Sequence, residues 1–316
     1  MSITLRDIKE DDLLLIMQWR MDPDITKYMN TDPVLTPEGQ LKWLQSINSD
    51  ASVMHWLIED DHTPIGIINL IDIDWENHTS SWGYYIGEKN HRSLKTAISL
   101  EMSLYDFVFD VLDFTELHNE VFTANSGVIK LHLACGSHIT KEVKNGITKN
   151  NISYDITNIS ITKETWNDIR RNKKYDKINF DVKLTPHHIG LAVADIDNAI
   201  LKFRKLGYYQ STDIFDDSSR NVKIVFMESY EGTQRLELIS PSNENSPVTD
   251  TLKKSKNSTT PYHICYETES LEKGIYLLRQ RGFIITKMPS PAIAFDNRPV
   301  VFLFNKDAGL VELIQK

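Results

Sequence analysis

A pattern that returns after 75 residues, between Leu184 and Lys316, limits the fold more than any other feature of this chain. Pro186-His187-His188-Ile189-Gly190 recurs as Pro261-Tyr262-His263-Ile264-Cys265. The same step carries Ile200, Gly207 and Tyr208 onto Ile275, Gly282 and Phe283, and Leu236-Glu237-Leu238-Ile239 onto Val311-Glu312-Leu313-Ile314. Each copy opens on an apolar strand. A helical pattern follows, Ile196–Leu206 in the first copy and Leu271–Arg281 in the second, and a glycine (Gly207 or Gly282) stops it. The clearest later strands are Lys223–Glu228, Arg235–Ile239, Val300–Phe304 and Leu310–Ile314. Each unit therefore reads β-α-β-β-β, and two such units can pair their sheets around a shared cavity.

Four residues able to hold a metal sit at equivalent places in the two copies. His188 and His263 lie on the first strands, and Glu237 and Glu312 follow each by 49 residues on the last strands. A pseudo-twofold axis would bring all four to one centre. Two imidazoles and two carboxylates leave open positions on a six-coordinate divalent ion, which suits Mn, Co, Ni, Zn or Mg. His187 reads as an ordinary strand residue facing the other way, because side chains alternate along a strand. Cys135 and Cys265 belong to no C-x-x-C pair and read as small apolar fillers.

With 316 residues the chain has length for about two domains. A net charge of −9 speaks against nucleic acid as a partner, since phosphate binding needs concentrated positive charge. The basic run Arg170-Arg171-Asn172-Lys173-Lys174 reads as a solvated helix end and linker. The N-terminus has no apolar leader core and no stretch reaches membrane-spanning length, so a cytoplasmic location without membrane contact is expected.

Before the repeat, strands and helices mix. A first strand at residues 3–8 leads to an acidic-capped helix ending near Arg20, which Asp22-Pro23 is expected to break. A short helix around Ile25–Met29 and another opened by Thr36-Pro37-Glu38 follow. Val53–Glu59 and Pro64–Ile73 suggest a hairpin, and Ser81–Ile86 a third strand. Ser93 to about Leu112 has Ile98, Met102, Tyr105 and Phe109 on one helical face. Glu116–Thr123 is a strand and Val128–Ala134 a short helix stopped by Gly136. Ile139–Ile161 supplies two strands around Asn145-Gly146, and a last helix begins at Thr162. The fold class is α+β, with domains at 1–180 and 181–316. The first contains no Walker loop and no G-x-G-x-x-G.

The order of elements in residues 3–170 resembles the GNAT family of acyl-CoA N-acyltransferases. Asn125-Ser126-Gly127-Val128-Ile129-Lys130-Leu131-His132, ending Ala134-Cys135-Gly136, resembles that family's late motif. The resemblance implies that His132 protonates the departing CoA thiolate, a task suited to an imidazole. Ser137 stands where the family usually has an aromatic. The pyrophosphate loop is here Asn90-His91-Arg92-Ser93-Leu94-Lys95-Thr96-Ala97, without the usual glycines, so binding would rest on Ser93 as cap, Arg92, Lys95 and the remaining N–H groups. The implied acetyl-CoA set is Tyr85, Arg92, Ser93, Lys95, Thr96 and Asn125, with main-chain N–H groups near Gly83–Tyr85 polarising the thioester carbonyl. His55, Glu59 and His78 are nearby candidates for a base, alongside a water relay.

Trp19-Arg20, Pro23, Tyr28-Met29, Gln40-Leu41-Lys42-Trp43-Leu44, Pro64-Ile65-Gly66 and Glu164-Thr165-Trp166 resemble the amino-sugar N-acetyltransferases of pseudaminic acid biosynthesis. That implies a UDP-linked 4-amino-4,6-dideoxy sugar as acceptor, touched by Trp19, Arg20 and Tyr28. A bland reading places Trp19 and Trp43 in helix packing instead.

The repeat resembles the vicinal oxygen chelate superfamily, and methylmalonyl-CoA epimerases and glyoxalases within it. His188-Ile189-Gly190-Leu191-Ala192-Val193, Arg235-Leu236-Glu237-Leu238-Ile239-Ser240-Pro241 and Leu310-Val311-Glu312-Leu313-Ile314 carry the likeness. It implies a divalent metal on His188, Glu237, His263 and Glu312 and an enediolate-forming epimerase or isomerase of an acyl-CoA or keto-sugar. Dioxygenases of the superfamily use two His and one Glu, so Glu237 argues against that chemistry. The acid that epimerases place before a Gln-Gly-Val segment is missing from Ser218-Ser219-Arg220-Asn221-Val222-Lys223. Asp216 or Asp217 would have to replace it, or Glu312 would act as base. A non-catalytic binding or dimerising module is the third reading, and a homodimer stays open.

Overall fold

In the computed structural model, which describes residues 3–316, the chain divides into one unit ending at Asp181 and another spanning Val182–Lys316. The first unit runs β1 (Ile3–Arg6), α1 (Leu13–Met21), α2 (Pro23–Thr26), α3 (Pro37–Ser49), β2 (Met54–Asp60), β3 (Thr63–Asp74), β4 (Thr79–Ile86), α4 (Leu94–Asp110), β5 (Glu116–Phe122), α5 (Ser126–Cys135), β6 (His138–Lys149), β7 (Ile152–Thr162), α6 (Lys163–Ile169) and β8 (Asn179–Phe180). Its eight strands form one sheet in the order β6-β7-β5-β4-β3-β2-β1-β8. The parallel pairing of β4 with β5 covers only Thr79–Ser81 against Glu116–His118, although both strands run on. The two strands part there, and main-chain groups of Trp82–Ile86 that would bond a neighbour face the gap.

Local chemistry explains where these elements start and stop. Thr36 accepts a hydrogen bond from the Gly39 N–H, with Pro37 at the first helical position of α3. Asp22-Pro23 opens α2 rather than merely ending α1: Asp22 caps it by accepting from the Asp24 N–H. Asn145-Gly146 is not the turn between β6 and β7. The chain reverses at Asn150-Asn151, both with left-handed φ (51° and 63°), as a two-residue hairpin loop requires. Asn145 instead sits where the register slips between Val143 and Ile147, its N–H bonded to Asp155.

Helix α4 is buried on every side over its last two turns rather than along one face. The cause is the stretch read as a linker. Arg170 pairs with Asp110, and the Tyr175 hydroxyl, Lys177 and the Trp166 ring N–H all reach Asp106. Ile178 and Phe180 are core residues, and β8 adds to the sheet beside β1.

The second unit runs β9 (Thr185–Ala192), α7 (Ile196–Arg204), β10 (Tyr208–Gln210), β11 (Phe215–Asp217), β12 (Val222–Ser229), β13 (Arg235–Pro241), α8 (Thr249–Lys254), β14 (Thr260–Thr268), α9 (Leu271–Gln280), β15 (Ile284–Ala292), β16 (Arg298–Asn305) and β17 (Gly309–Gln315). The sheet order β10-β12-β13-β9-β14-β17-β16-β15, with β11 also on β12, has the two first strands antiparallel at its centre. The β-α-β-β-β repeat holds. The continuous β15 of the second copy corresponds to the interrupted β10 and β11 of the first. Helix α8 lies between the copies and adds Leu252 to the core.

Candidate active sites

The sheet register assembles the duplicated residues. Glu237 on β13 lies beside Gly190 on β9, and Gly190 lies opposite His263 on β14. Two residues along, His188 lies opposite Cys265, which lies beside Glu312 on β17. Both rows present the same face. His188 Nε2 is 3.0 Å from His263 Nε2, 3.3 Å from Glu237 Oε2 and 3.4 Å from Glu312 Oε2. His263 Nε2 is 3.2 Å from Glu237 Oε2 and 3.3 Å from Glu312 Oε2. All four residues are buried. Gly190 is required here, because a Cβ on it would stand 2.3 Å from the His263 ring.

Burial opposes charge on His263, yet the Glu312 and Glu237 carboxylates outweigh it and lift the imidazole to about 10. Burial likewise opposes charge on Glu237, but His188 and His263 hold it well below the usual carboxylate range. Two imidazole nitrogens turned toward each other between two buried carboxylates are a poor arrangement for protein alone. They suit a cation: metal–ligand bonds of about 2.0–2.1 Å place neighbouring donors roughly 3.0–3.4 Å apart. The residues fit a divalent ion.

His187 does not face away. The register skips it between the pairs His188–Cys265 and Pro186–Tyr266, a bulge that brings its ring round to His188, Nδ1 to Nδ1 at 2.8 Å. Arg235 donates to its Nε2 at 3.0 Å, and burial lowers its pKa to about 4. A matching slip skips Tyr262, before His263. Tyr262 lines a cavity of about 460 Å³ together with Ile224, Val248, Phe295, Phe302, Arg220, Lys287 and three of the four clustered residues, Glu237, His263 and Glu312. Asp217 is no free substitute for the missing acid. Its carboxylate takes hydrogen bonds from Ser219 and Arg220, which outweigh burial and hold its pKa below the usual value. Asp216 is not among the residues lining the cavity.

In the first unit, His132 is carried to the β4–β5 gap by α5, which ends as Gly136 turns left-handed (φ +114°) and donates to the His132 carbonyl. The ring is buried. Its Nε2 lies 3.1 Å from the Asn119 side-chain amide and its Nδ1 3.0 Å from Oε1 of Glu101, with Trp82 edge-on at 5.2 Å. Glu101 and Asn119 were not read from the sequence. A lone glutamate on an apolar helix face was the available signal, since a carboxylate there needs a partner.

The expected CoA contacts are scattered. Ser93 caps α4 by accepting from the Thr96 N–H at 3.0 Å. Arg92 donates to the Ile86 and Gly87 carbonyls, and Lys95 pairs with Asp176. Asn125 makes no side-chain cap for α5. A cavity of about 500 Å³ is lined by Arg20, Gln40, Trp43, His55, Asn69, Tyr84, Tyr85 and apolar neighbours. Trp19 and Tyr28 are not among its walls. Trp19 is core, packed against Gly87 with its ring N–H on Glu88, because α1 turns it under the sheet. Tyr28 leans on Phe122 and is partly exposed. Burial lowers His55 to about 4, and no partner meets its buried Nδ1 or the Tyr85 hydroxyl.

Comparison with known proteins assigns both units. Residues 2–138 match the acetyltransferase (GNAT) domain family, and residues 187–302 match the glyoxalase/bleomycin resistance protein/dioxygenase superfamily. The chain joins a GNAT N-acetyltransferase domain to a glyoxalase-superfamily domain. Mouse mitochondrial methylmalonyl-CoA epimerase is 29% identical over 131 residues, 41% of this chain and 71% of its own. Acetyltransferase PseH of Campylobacter jejuni is 26% identical over 126 residues, 40% of this chain and 76% of its own. A Vibrio cholerae spermidine N-acetyltransferase structure, in complex with CoA and spermine, has a TM-score of 0.50 at 19% identity, covering 52% of this chain and 98% of that one; it supports the fold alone. Among the described residues no helix is long and apolar enough to cross a membrane.

Proposed function

We propose that the first unit transfers an acetyl group from acetyl-CoA to the amine of a nucleotide-linked amino sugar. The observation that carries this reading is the make-up of its 500 Å³ cavity: Arg20 is the one charged residue on its walls, and no carboxylate is among them. A polyamine acceptor would place further positive charge against Arg20 without compensation. A sugar supplies hydroxyls for Gln40, Asn69, the Tyr85 hydroxyl and His55, and a nucleotide's phosphates supply charge for Arg20. Buried polar atoms left without partners in the free protein gain them when such a ligand binds. The thioester is received where β4 and β5 part, with N–H groups of β4 facing its carbonyl oxygen. Amine nitrogen attacks the carbonyl carbon, the carbon–sulfur bond breaks, and His132 protonates the sulfur. Incubation with acetyl-CoA and UDP-4-amino-4,6-dideoxy sugars should release free thiol in step with N-acetylated sugar. No thiol release across a panel of amino sugars, with release from spermidine, overturns the acceptor assignment.

The second unit supports a second activity, because three of its four clustered residues, Glu237, His263 and Glu312, line a cavity large enough for a small substrate. His188, Glu237, His263 and Glu312 would hold a divalent ion. Such an ion supplies Lewis acidity to adjacent substrate oxygens and so eases loss of a proton from the neighbouring carbon. Tyr262, Phe295 and Phe302 would shield that carbon from water, and Glu312 would accept its proton. Deuterium exchange into a keto-sugar or acyl-CoA, lost in Glu312→Ala, is the expected result for an epimerase or isomerase; metal binding without exchange favours a binding module.

A further inference from the structure

The mechanism above leaves Glu101 unused, although it is a carboxylate with no exposed surface in the middle of α4. Burying a charge this deeply is costly unless specific partners hold it. Its Oε1 accepts from the Tyr105 hydroxyl at 2.5 Å and lies 3.0 Å from His132 Nδ1, an ion-pair distance. The Tyr105 hydroxyl also meets Ser137, so one oxygen of the pair is fixed from two helices and a loop. The groups around the ring are few. Asn119 comes from β5, Trp82 from β4, Glu101 and Tyr105 from α4, and Cys135 from its own helix. Glu101 is the only carboxylate among them.

We infer that Glu101 is a positioning residue, holding His132 as the Nδ1–H tautomer so that Nε2 carries the lone pair at the β4–β5 gap. The inference rests on the acetyl-transfer reading and deepens it. A ring held this way starts as a proton acceptor. Nε2 takes the proton that the attacking amine sheds, the carbon–sulfur bond breaks, and the same proton passes to the leaving sulfur. Amine and thioester become amide and thiol with no proton gained or lost overall. Glu101 faces the transient positive ring throughout, which is the part a buried carboxylate plays behind a catalytic histidine.

The test begins without substrate. Nitrogen-15 spectra of the labelled full chain should show His132 with its proton on Nδ1; a proton on Nε2 overturns the inference whatever the enzyme turns over. Glu101→Gln should lower kcat about 100-fold or more while KM for acetyl-CoA stays within about twofold, and Glu101→Asp should recover part of the loss. Tyr105→Phe removes the hydrogen bond that fixes Oε1 and keeps the carboxylate, so it should lower kcat by less than Glu101→Gln does. Should Glu101→Gln fail to fold, the wild-type spectrum and Glu101→Asp decide. A Glu101→Gln protein that turns over like wild type, even with a lower melting temperature, gives the carboxylate a purely structural role and ends the proposal. Wild type without thiol release from any amine removes the acetyl-transfer reading instead, and the spectrum tells that outcome apart from a failed Glu101 contact.

Discussion

The two sites of this chain are built on opposite plans. In the glyoxalase-superfamily unit, four side chains of two types come from the four central strands of one sheet, related by a repeat, and meet with their donor atoms all within 4.8 Å of one another. In the acetyltransferase unit the proposed working parts are a gap between two strands, a buried pair of Glu101 and His132, and a cavity wall assembled from α1, α3, β2, β3 and β4. One site is a point and the other is a path. A point fails when one donor is removed; a path degrades by degrees.

That contrast sets the sizes of the expected effects. His263→Ala should abolish stoichiometric metal: elemental analysis of protein dialysed against Mn or Co should fall from about one ion per chain to a trace, because the remaining three donors no longer surround the ion. A metal present at about 1,000 times its Kd would stabilise the unit by about 4 kcal/mol, so chelator should lower the wild-type melting transition and leave the His263→Ala transition unmoved. Thiol release by the first unit should be the same in both proteins. Gly190→Ala should mimic the ligand loss in milder form, since the new methyl meets the His263 ring.

Arg20→Ala tests the path. A buried charge-assisted contact is worth about 1.5–3 kcal/mol, so KM for a nucleotide sugar should rise roughly 10- to 100-fold while KM for acetyl-CoA holds. An Arg20→Ala enzyme with unchanged acceptor KM would remove the anion from the acceptor assignment. If spermidine becomes the better acceptor in that variant, the charge argument is right and only the natural ligand is in question.

The point was largely legible in the sequence and the path was not. A constant offset of 75 residues named all four members of the cluster, because a repeat converts symmetry in space into arithmetic along the chain. It failed at His187 for a physical reason: strand alternation assumes an unbroken ladder, and a bulge turned that residue toward His188. The acetyltransferase fold was readable from the order of its elements and the Asn125–Gly136 motif. Its contacts were not, because Trp19, Arg92 and Lys95 have side chains chemically able to bind a ligand yet fold back on Glu88, the Ile86 carbonyl and Asp176. Glu101 was invisible because it sits among apolar neighbours on a helix that looked one-sided. The basic run from Arg170 to Lys174 read as a solvated helix end and linker, yet Arg170 and the residues after it, Tyr175, Lys177 and Ile178, cover that helix.

His55 offers a test of the cavity that needs no substrate. Its pKa is lowered by burial from 6.5 to about 4, so the unfolded chain binds a proton before the folded one does. As pH falls from 7 to 5 the first unit should therefore lose about 2 kcal/mol of stability through this group alone, with the loss complete only below about pH 4. Denaturant melts at pH 7 and 5 should show that difference in wild type, and His55→Gln should remove most of it. An unchanged pH dependence in the variant would mean that water already fills the cavity around the ring.

The smallest effect separates the structure from the motif most cleanly. The loop before α4 is basic, and its composition alone makes Lys95 a phosphate contact. The structure instead gives Lys95 an exposed ion pair with Asp176 in the segment that covers α4, 2.7 Å from nitrogen to oxygen. An exposed pair contributes little to stability, and a lysine already held by a carboxylate has less to give a pyrophosphate. Lys95→Ala should thus change KM for acetyl-CoA by less than about twofold and shift the melting temperature only slightly. A tenfold rise in KM would show that the lysine leaves Asp176 when the cosubstrate arrives, and would return the loop to the role its composition suggested. Asp176→Ala decides between the two: freeing the lysine should then tighten acetyl-CoA binding if Lys95 is a phosphate ligand, and change nothing if it is a brace.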